Sequence, residues 1–187
     1  MIYDSPFKTD DGMRHVKAKT DDGKRCFIQL KGVKVLEVDN EDVSFELSGD
    51  DNLAKVEAVH ITNIQSALEK SKDWFGKEVS EKTITKAYIK DEVITAERIS
   101  ASKVFDAKKQ PVDFEGITPG ATCSVFIEFS GLWFARSHFG PSWNVVQVKL
   151  EEEEKVPELE SVDDPVPQEV EVESYPEECM FEDGDSK

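Results

Sequence analysis

Short runs of alternating apolar and polar residues, each closed by turn chemistry, constrain this chain more than any other feature. Val16-Lys17-Ala18-Lys19-Thr20 alternates, Asp21-Asp22-Gly23 supplies a turn, and Arg25 to Leu30 begins a new run. Alternation at period two marks a half-buried strand, and an Asp-Gly step between two such runs predicts a hairpin. Val33 to Val38 and Val43 to Leu47 repeat the pattern across Asp39-Asn40-Glu41-Asp42, and Ala54 to Val59 alternates again. Further strands are predicted at Thr83 to Ile89, Val93 to Ile99, Lys103 to Phe105, Thr122 to Phe129 and Ser142 to Leu150, with turns at 106–111 and 117–120.

One segment changes period. Ile61, Ile64, Leu68 and Phe75 fall at helical offsets, Thr62 or Asn63 suits the start and Gly76 the end, which predicts one helix from about 62 to 75. Many short strands, one internal helix and no βαβ alternation predict an all-β fold. A five-stranded OB-type barrel with extra strands and an inserted helix accommodates them most economically.

Charge divides the chain in two. Residues 151–187 hold 16 acids and two bases, whereas residues 1–150 hold 24 acids and 21 bases. A nearly balanced domain over 1–150 therefore carries an acidic tail over 151–187. The tail begins Glu151-Glu152-Glu153-Glu154 and contains Pro157, Pro165, Pro167 and Pro176. Such composition cannot bury enough apolar surface to offset its ordering entropy, so disorder is expected.

Several classes are excluded as expectations. No stretch approaches the roughly 20 apolar residues of a membrane span. Met1 to Asp10 has no basic start and apolar run, so an intracellular site, cytoplasmic or nuclear, is expected. Cys26, Cys123 and Cys179 are widely separated, which suits neither a disulfide framework nor a zinc site. His15, His60 and His138 share no metal-ligand spacing, no phosphate loop or zinc-protease motif is present, and Cys123 with His138 lacks the orienting acid and oxyanion loop that a nucleophile–base pair needs. Neither an enzyme nor a bound cofactor is expected.

The richest segment is Leu132-Trp133-Phe134-Ala135-Arg136-Ser137-His138-Phe139-Gly140-Pro141-Ser142-Trp143. Trp133, Phe134, Phe139 and Trp143 beside Arg136 make a candidate base-stacking surface, because every nucleobase offers a π face. The alternative is that some of these rings fill the core. Basic residues cluster at Lys17, Lys19, Lys24, Arg25, Lys31 and Lys34, at Lys82, Lys86 and Lys90, and at Lys103, Lys108 and Lys109. Even spacing would hold the second set on one face of a strand that also carries Tyr88. Together these cations would form a groove that tracks phosphates.

The C-terminal half carries a resemblance. Lys103-Val104-Phe105-Asp106-Ala107-Lys108-Lys109 precedes Gly116-Ile117-Thr118-Pro119-Gly120. The strand Cys123 to Phe129, an aromatic stretch ending Trp143-Asn144, the strand Val145 to Leu150 and an acidic tail then follow. Over roughly residues 82 to 187 this resembles the replicative single-stranded DNA-binding proteins of T7-like phages and related proteins of large eukaryotic DNA viruses. The resemblance implies an OB barrel that binds single strands without sequence preference, acts in viral DNA replication or recombination and forms dimers. It implies Trp133, Phe134, Phe139 and Trp143 as stacking residues and Arg136, Lys103, Lys108 and Lys109 as phosphate contacts. It also implies an acidic tail that competes with DNA and docks on a DNA polymerase, helicase or primase. The family's tails end in an aromatic residue; here Phe181 is the nearest aromatic to Asp183-Gly184-Asp185-Ser186-Lys187. A second reading is an acidic-tailed interaction or chaperone-like module that binds basic proteins.

Overall fold

The computed structural model describes residues 1–9, 12–90, 92–151, 175 and 181. The tail expected to be disordered therefore lies outside the described residues, apart from Glu151, Tyr175 and Phe181.

Five strands close a ring. Strand β4 (Cys26–Val38) pairs antiparallel with β5 (Asp42–Glu46), and β5 pairs antiparallel with β6 (Val93–Phe105). β6 runs parallel to β9 (Phe139–Leu150), β9 is antiparallel to β8 (Thr122–Phe134), and β8 returns antiparallel to β4. With these five strands counted in chain order, the ring runs one, two, three, five, four and back to one, which is the OB-type barrel. Alternate residues fill its interior: Leu30, Val33, Val35, Phe45, Ile94, Val125, Ile127, Phe129, Val145 and Val148 are all buried. Gln29 and Lys31 project the other way on β4, and a bulge between Leu30 and Val33 keeps Val33 and Val35 inward.

β4 is one strand where the alternating pattern suggested two. The predicted hairpin across Asp21-Asp22-Gly23 is corrected. The turn forms, with the Gly23 N–H donating to the Thr20 carbonyl at 2.9 Å. Yet β8 lies between β3 (Arg14–Lys19) and β4 in the sheet order. Residues 122–129 of β8 serve β4, and residues 131–134 serve β3. Gly131 makes that handover possible: at φ 147° a Cβ would lie 1.9 Å from the Val16 carbonyl oxygen. β1 (Ile2–Tyr3) and β2 (Phe7–Lys8) add to β3. A two-residue β7 (Pro111–Val112) adds to β6.

The helical insertion is larger than expected. It comprises α1 (Asp50–Glu69), α2 (Ser71–Phe75) and α3 (Glu81–Ala87), between the second and third barrel strands. Ala54 to Val59 is helical, not extended, because Asn52, Val56, Val59, Asn63 and Ala67 form the buried stripe. Asn52 fixes α1 to the β4 bulge: its amide donates to the Lys31 carbonyl at 2.8 Å, and its Oδ1 accepts the Lys31 N–H at 3.1 Å. Ile61 and Leu68, which suggested the helix from sequence, are exposed. Gly76 does end α2, at φ 74°. Thr83 to Ala87 lies in α3 although its β-branched residues favour a strand; the Ser80 carbonyl accepts the Thr83 and Ile84 N–H groups, both at 3.0 Å. A buried polar relay ties the insertion to the N-terminus. Tyr3 donates to Asn63 at 2.6 Å, Asn63 donates to the Tyr88 hydroxyl at 2.9 Å, and that hydroxyl lies 2.8 Å from His60 Nδ1.

Candidate nucleic-acid interface

Pairing register lays out the outer face of the barrel. Glu97, Asn144, Glu128 and Phe27 form one cross-strand row over β6, β9, β8 and β4. Lys103, Gln147, Phe126 and Gln29 form the next. Beyond the first row, β3 and the turn that follows it raise a wall, and a cleft of about 940 Å³ opens between wall and barrel. Lys17, Lys19, Lys24 and Arg25 line it with His15, against the carboxylates of Asp4, Glu97 and Glu128, and Phe7 and Phe27 supply rings. The cations come from β3 and its turn because the alternation of β3 sends Val16 and Ala18 inward and Lys17 and Lys19 out.

The described tail residues sit on this face. The Arg25 guanidinium lies 4.0 Å from the centre of the Tyr175 ring, and Phe27 flanks the same ring at 6.5 Å. The Tyr175 hydroxyl donates to Glu128 Oε2 at 2.8 Å and accepts from Arg25 at 2.7 Å. Glu128 is 4% exposed; it also accepts from Arg25 at 2.9 Å and from Asn144 at 3.0 Å. Burial, then the hydrogen bond and charge of Glu128, push the Tyr175 hydroxyl up to about 12, so it remains a donor at neutral pH. Two residues away on the same face of β8, Phe126 packs on Phe181 at 5.0 Å, with the Lys149 ammonium 5.5 Å from the Phe181 ring.

The proposed residues separate into three groups. Arg25 lines the cleft, Lys103 and Lys31 project outward on β6 and β4, and Trp133 is half-buried on the face shared with His15, its cross-strand partner. Arg136 occupies the exposed 135–138 turn and lines a second cleft of about 730 Å³ with Arg14 and Lys77. Lys108 and Lys109 lie in the turn organised by Asp106, and Lys86 is exposed on α3; none of the three lines either cleft.

Four expected contacts are corrected. Phe134, Phe139, Trp143 and Tyr88 are buried. The expected long aromatic connection is a tight turn between extended strands, and in a ribbon successive side chains point to opposite faces. Phe134 and Phe139 therefore turn under the helical insertion, where Trp74 and Phe75 pack edge-on against Phe134 at 5.7 Å each. Trp143 packs on Phe129 at 5.4 Å, and Tyr88 on Phe139 at 5.2 Å. Of the tail residues, Glu151 accepts from Ser124 at 3.2 Å, while Glu152, Glu153 and Glu154 lie outside the described residues.

Sequence reasoning missed Phe7, Phe27, Glu128, Asn144 and Tyr175. Two signals were available: Glu128 is the single acid in β8, and Tyr175 is the single tyrosine in the acidic tail. The face usual for OB barrels, strands two and three, carries Asp42 and Glu46 here, and Glu97 on the third strand lines the cleft itself. Burial, then Asp39 and Glu41, hold the Asp42 carboxyl above its ordinary value. Among the described residues no group of three or more His, Cys, Asp and Glu could hold a metal ion, and no helix is long and apolar enough to cross a membrane.

Fold and cleft together define an OB-type barrel with a cationic, ring-lined furrow that its own tail enters. Residues 31–183 match a family of unknown function (DUF5871), and the chain belongs to that family. No curated protein matches the sequence. Among solved structures, the single-stranded DNA-binding protein from bacteriophage Enc34 in complex with ssDNA is similar at a TM-score of 0.46 and 14% identity, over 81% of this chain and 96% of that one. A C-terminal truncation of the Enc34 protein is similar at a TM-score of 0.47 and 12% identity, over 82% of this chain and 96% of that one.

Proposed function

We propose that this chain binds single-stranded DNA without a catalytic step, in the furrow between β3 and the outer face of β4, β8 and β9, and that its acidic tail occupies the furrow when DNA is absent. The observation that carries this reading is the seating of Tyr175 on Arg25 and Glu128. A residue from a strongly acidic segment lies among the cations that a phosphodiester chain would use. A tethered polyanion acts as a high local concentration of competitor. Lys17, Lys19, Lys24 and Arg25 supply phosphate contacts; the 39%-exposed Phe7 in the cleft, and the half-buried Trp133 across from the cleft residue His15, supply rings for stacking.

DNA would release the tail, freeing Phe181 and the acids at 151–154 for a partner. By the resemblance noted above, that partner would be a polymerase, helicase or primase at an intracellular site of viral replication, with the protein acting as a dimer. The test is fluorescence anisotropy with labelled oligo-dT on the full chain and on a chain ending at Glu151. Truncation is expected to tighten binding and steepen its salt dependence. Failure of both forms to bind oligo-dT, with retention of a basic protein by the full chain, would replace this reading with the interaction-module one.

A further inference from the structure

A surface that only tracked phosphates would have no use for a buried carboxylate, yet Glu128 lies at the centre of the furrow. Its two oxygens are held in place by Arg25 on one side and Asn144 on the other. Each carboxylate oxygen has two lone pairs, so with Tyr175 withdrawn both can take a further donor. What occupies the seat now is a flat ring stacked on a guanidinium, with one donor at its edge aimed at Glu128 and an acceptor, the same hydroxyl, facing Arg25. A nucleobase is likewise a flat ring with donors and acceptors on its edge.

Resting on the single-strand reading above, we propose that the Tyr175 seat is a nucleobase pocket and that it favours guanine. A carboxylate accepts and never donates, so it selects by donors. Guanine presents N1–H and the 2-amino group side by side, matching two carboxylate oxygens, with O6 beside them where Arg25 donates. Adenine and cytosine offer one amino group next to a ring acceptor. Thymine offers one N–H between two carbonyls, which face the carboxylate unfavourably. Tyr175 thus stands in for the base as well as obstructing it, and the protein binds single strands generally through phosphates while holding one position with a preference.

The experiment uses the full-length Tyr175→Ala chain, which empties the seat. Competition anisotropy compares short oligo-dT with the same oligomer carrying one central dG, dA, dC or deoxyinosine. The dG oligomer is expected to bind about fivefold tighter or more, the range of a good bidentate base contact. Deoxyinosine, which lacks the 2-amino group, is expected to lose most of that advantage, and Glu128→Gln should erase it, read as the ratio of dG-oligomer to oligo-dT affinity within that variant. Equal binding of dG and dT oligomers, or a dG advantage that survives Glu128→Gln, overturns the pocket while leaving single-strand binding intact. Failure to bind any oligomer overturns both readings. The deoxyinosine comparison needs no substitution at Glu128, so a misfolded variant cannot mask the answer.

Discussion

Replacing Tyr175 in graded steps tests whether the tail and the nucleic acid compete for one place. Tyr175→Phe keeps the ring over Arg25 but deletes the hydroxyl that donates to Glu128 and accepts from Arg25. A hydrogen bond to a charged group contributes about 1.5 kcal/mol at the low end, which is about tenfold in the docking equilibrium. Tyr175→Ala also removes the guanidinium–ring contact at 4.0 Å, about 1 kcal/mol or roughly fivefold more. Apparent affinity for a competing ligand scales with the fraction of molecules whose furrow is open. Oligo-dT should therefore bind the Phe variant up to about tenfold tighter than the native chain, and the Ala variant tighter again, with the tail-truncated chain as the ceiling. Anisotropy titrations at low and moderate salt read this order directly. If both variants bind as the native chain does, or more weakly, the ring does not plug the binding surface.

Two further outcomes follow from burial. Trp133→Ala should lose about 1–3 kcal/mol of single-strand affinity with little change in melting temperature, whereas Trp143→Ala, which empties a buried site against Phe129, should cost about 3–5 kcal/mol of folding stability; thermal melts beside anisotropy separate the two, and a reversed pattern would exchange their roles. Burial holds the His60 imidazole below its ordinary 6.5, with Glu57 opposing and Lys90 reinforcing the shift. The unfolded chain then takes up a proton near that pH which the native state resists, so this contribution is full above it and is lost as pH falls through the native value. The urea midpoint should drop between about pH 7.5 and about pH 5.5, and His60→Gln should flatten that drop; an unchanged slope would exclude His60 as its source.

Much of the barrel was legible because the inward positions of β4 and of 123–129 in β8 are apolar at period two, and the turns before and after β4 and before β8 carry Asp or Gly. The insertion was harder to place. Ala54 to Val59 satisfies both the period of a strand and that of a helix, and the buried stripe of α1 includes Asn52, His60 and Asn63, which a search for apolar residues passes over. The rings at 133–143 showed that the segment mattered but not which face of the ribbon the helices would cover; that depends on α2 and α3 packing against Phe134 and Phe139. Arg25 was identifiable as a cation. Its partnership with a ring 150 positions away was not, because no local period links the two.

Gly131 joins two parts of the furrow. By letting a single strand serve β4 and then β3, it makes the base and the bank of the trough parts of one continuous backbone rather than two bodies on a hinge. On the reading proposed above, a strand enters this trough only after Tyr175 departs, so loading at saturating ligand proceeds no faster than that departure.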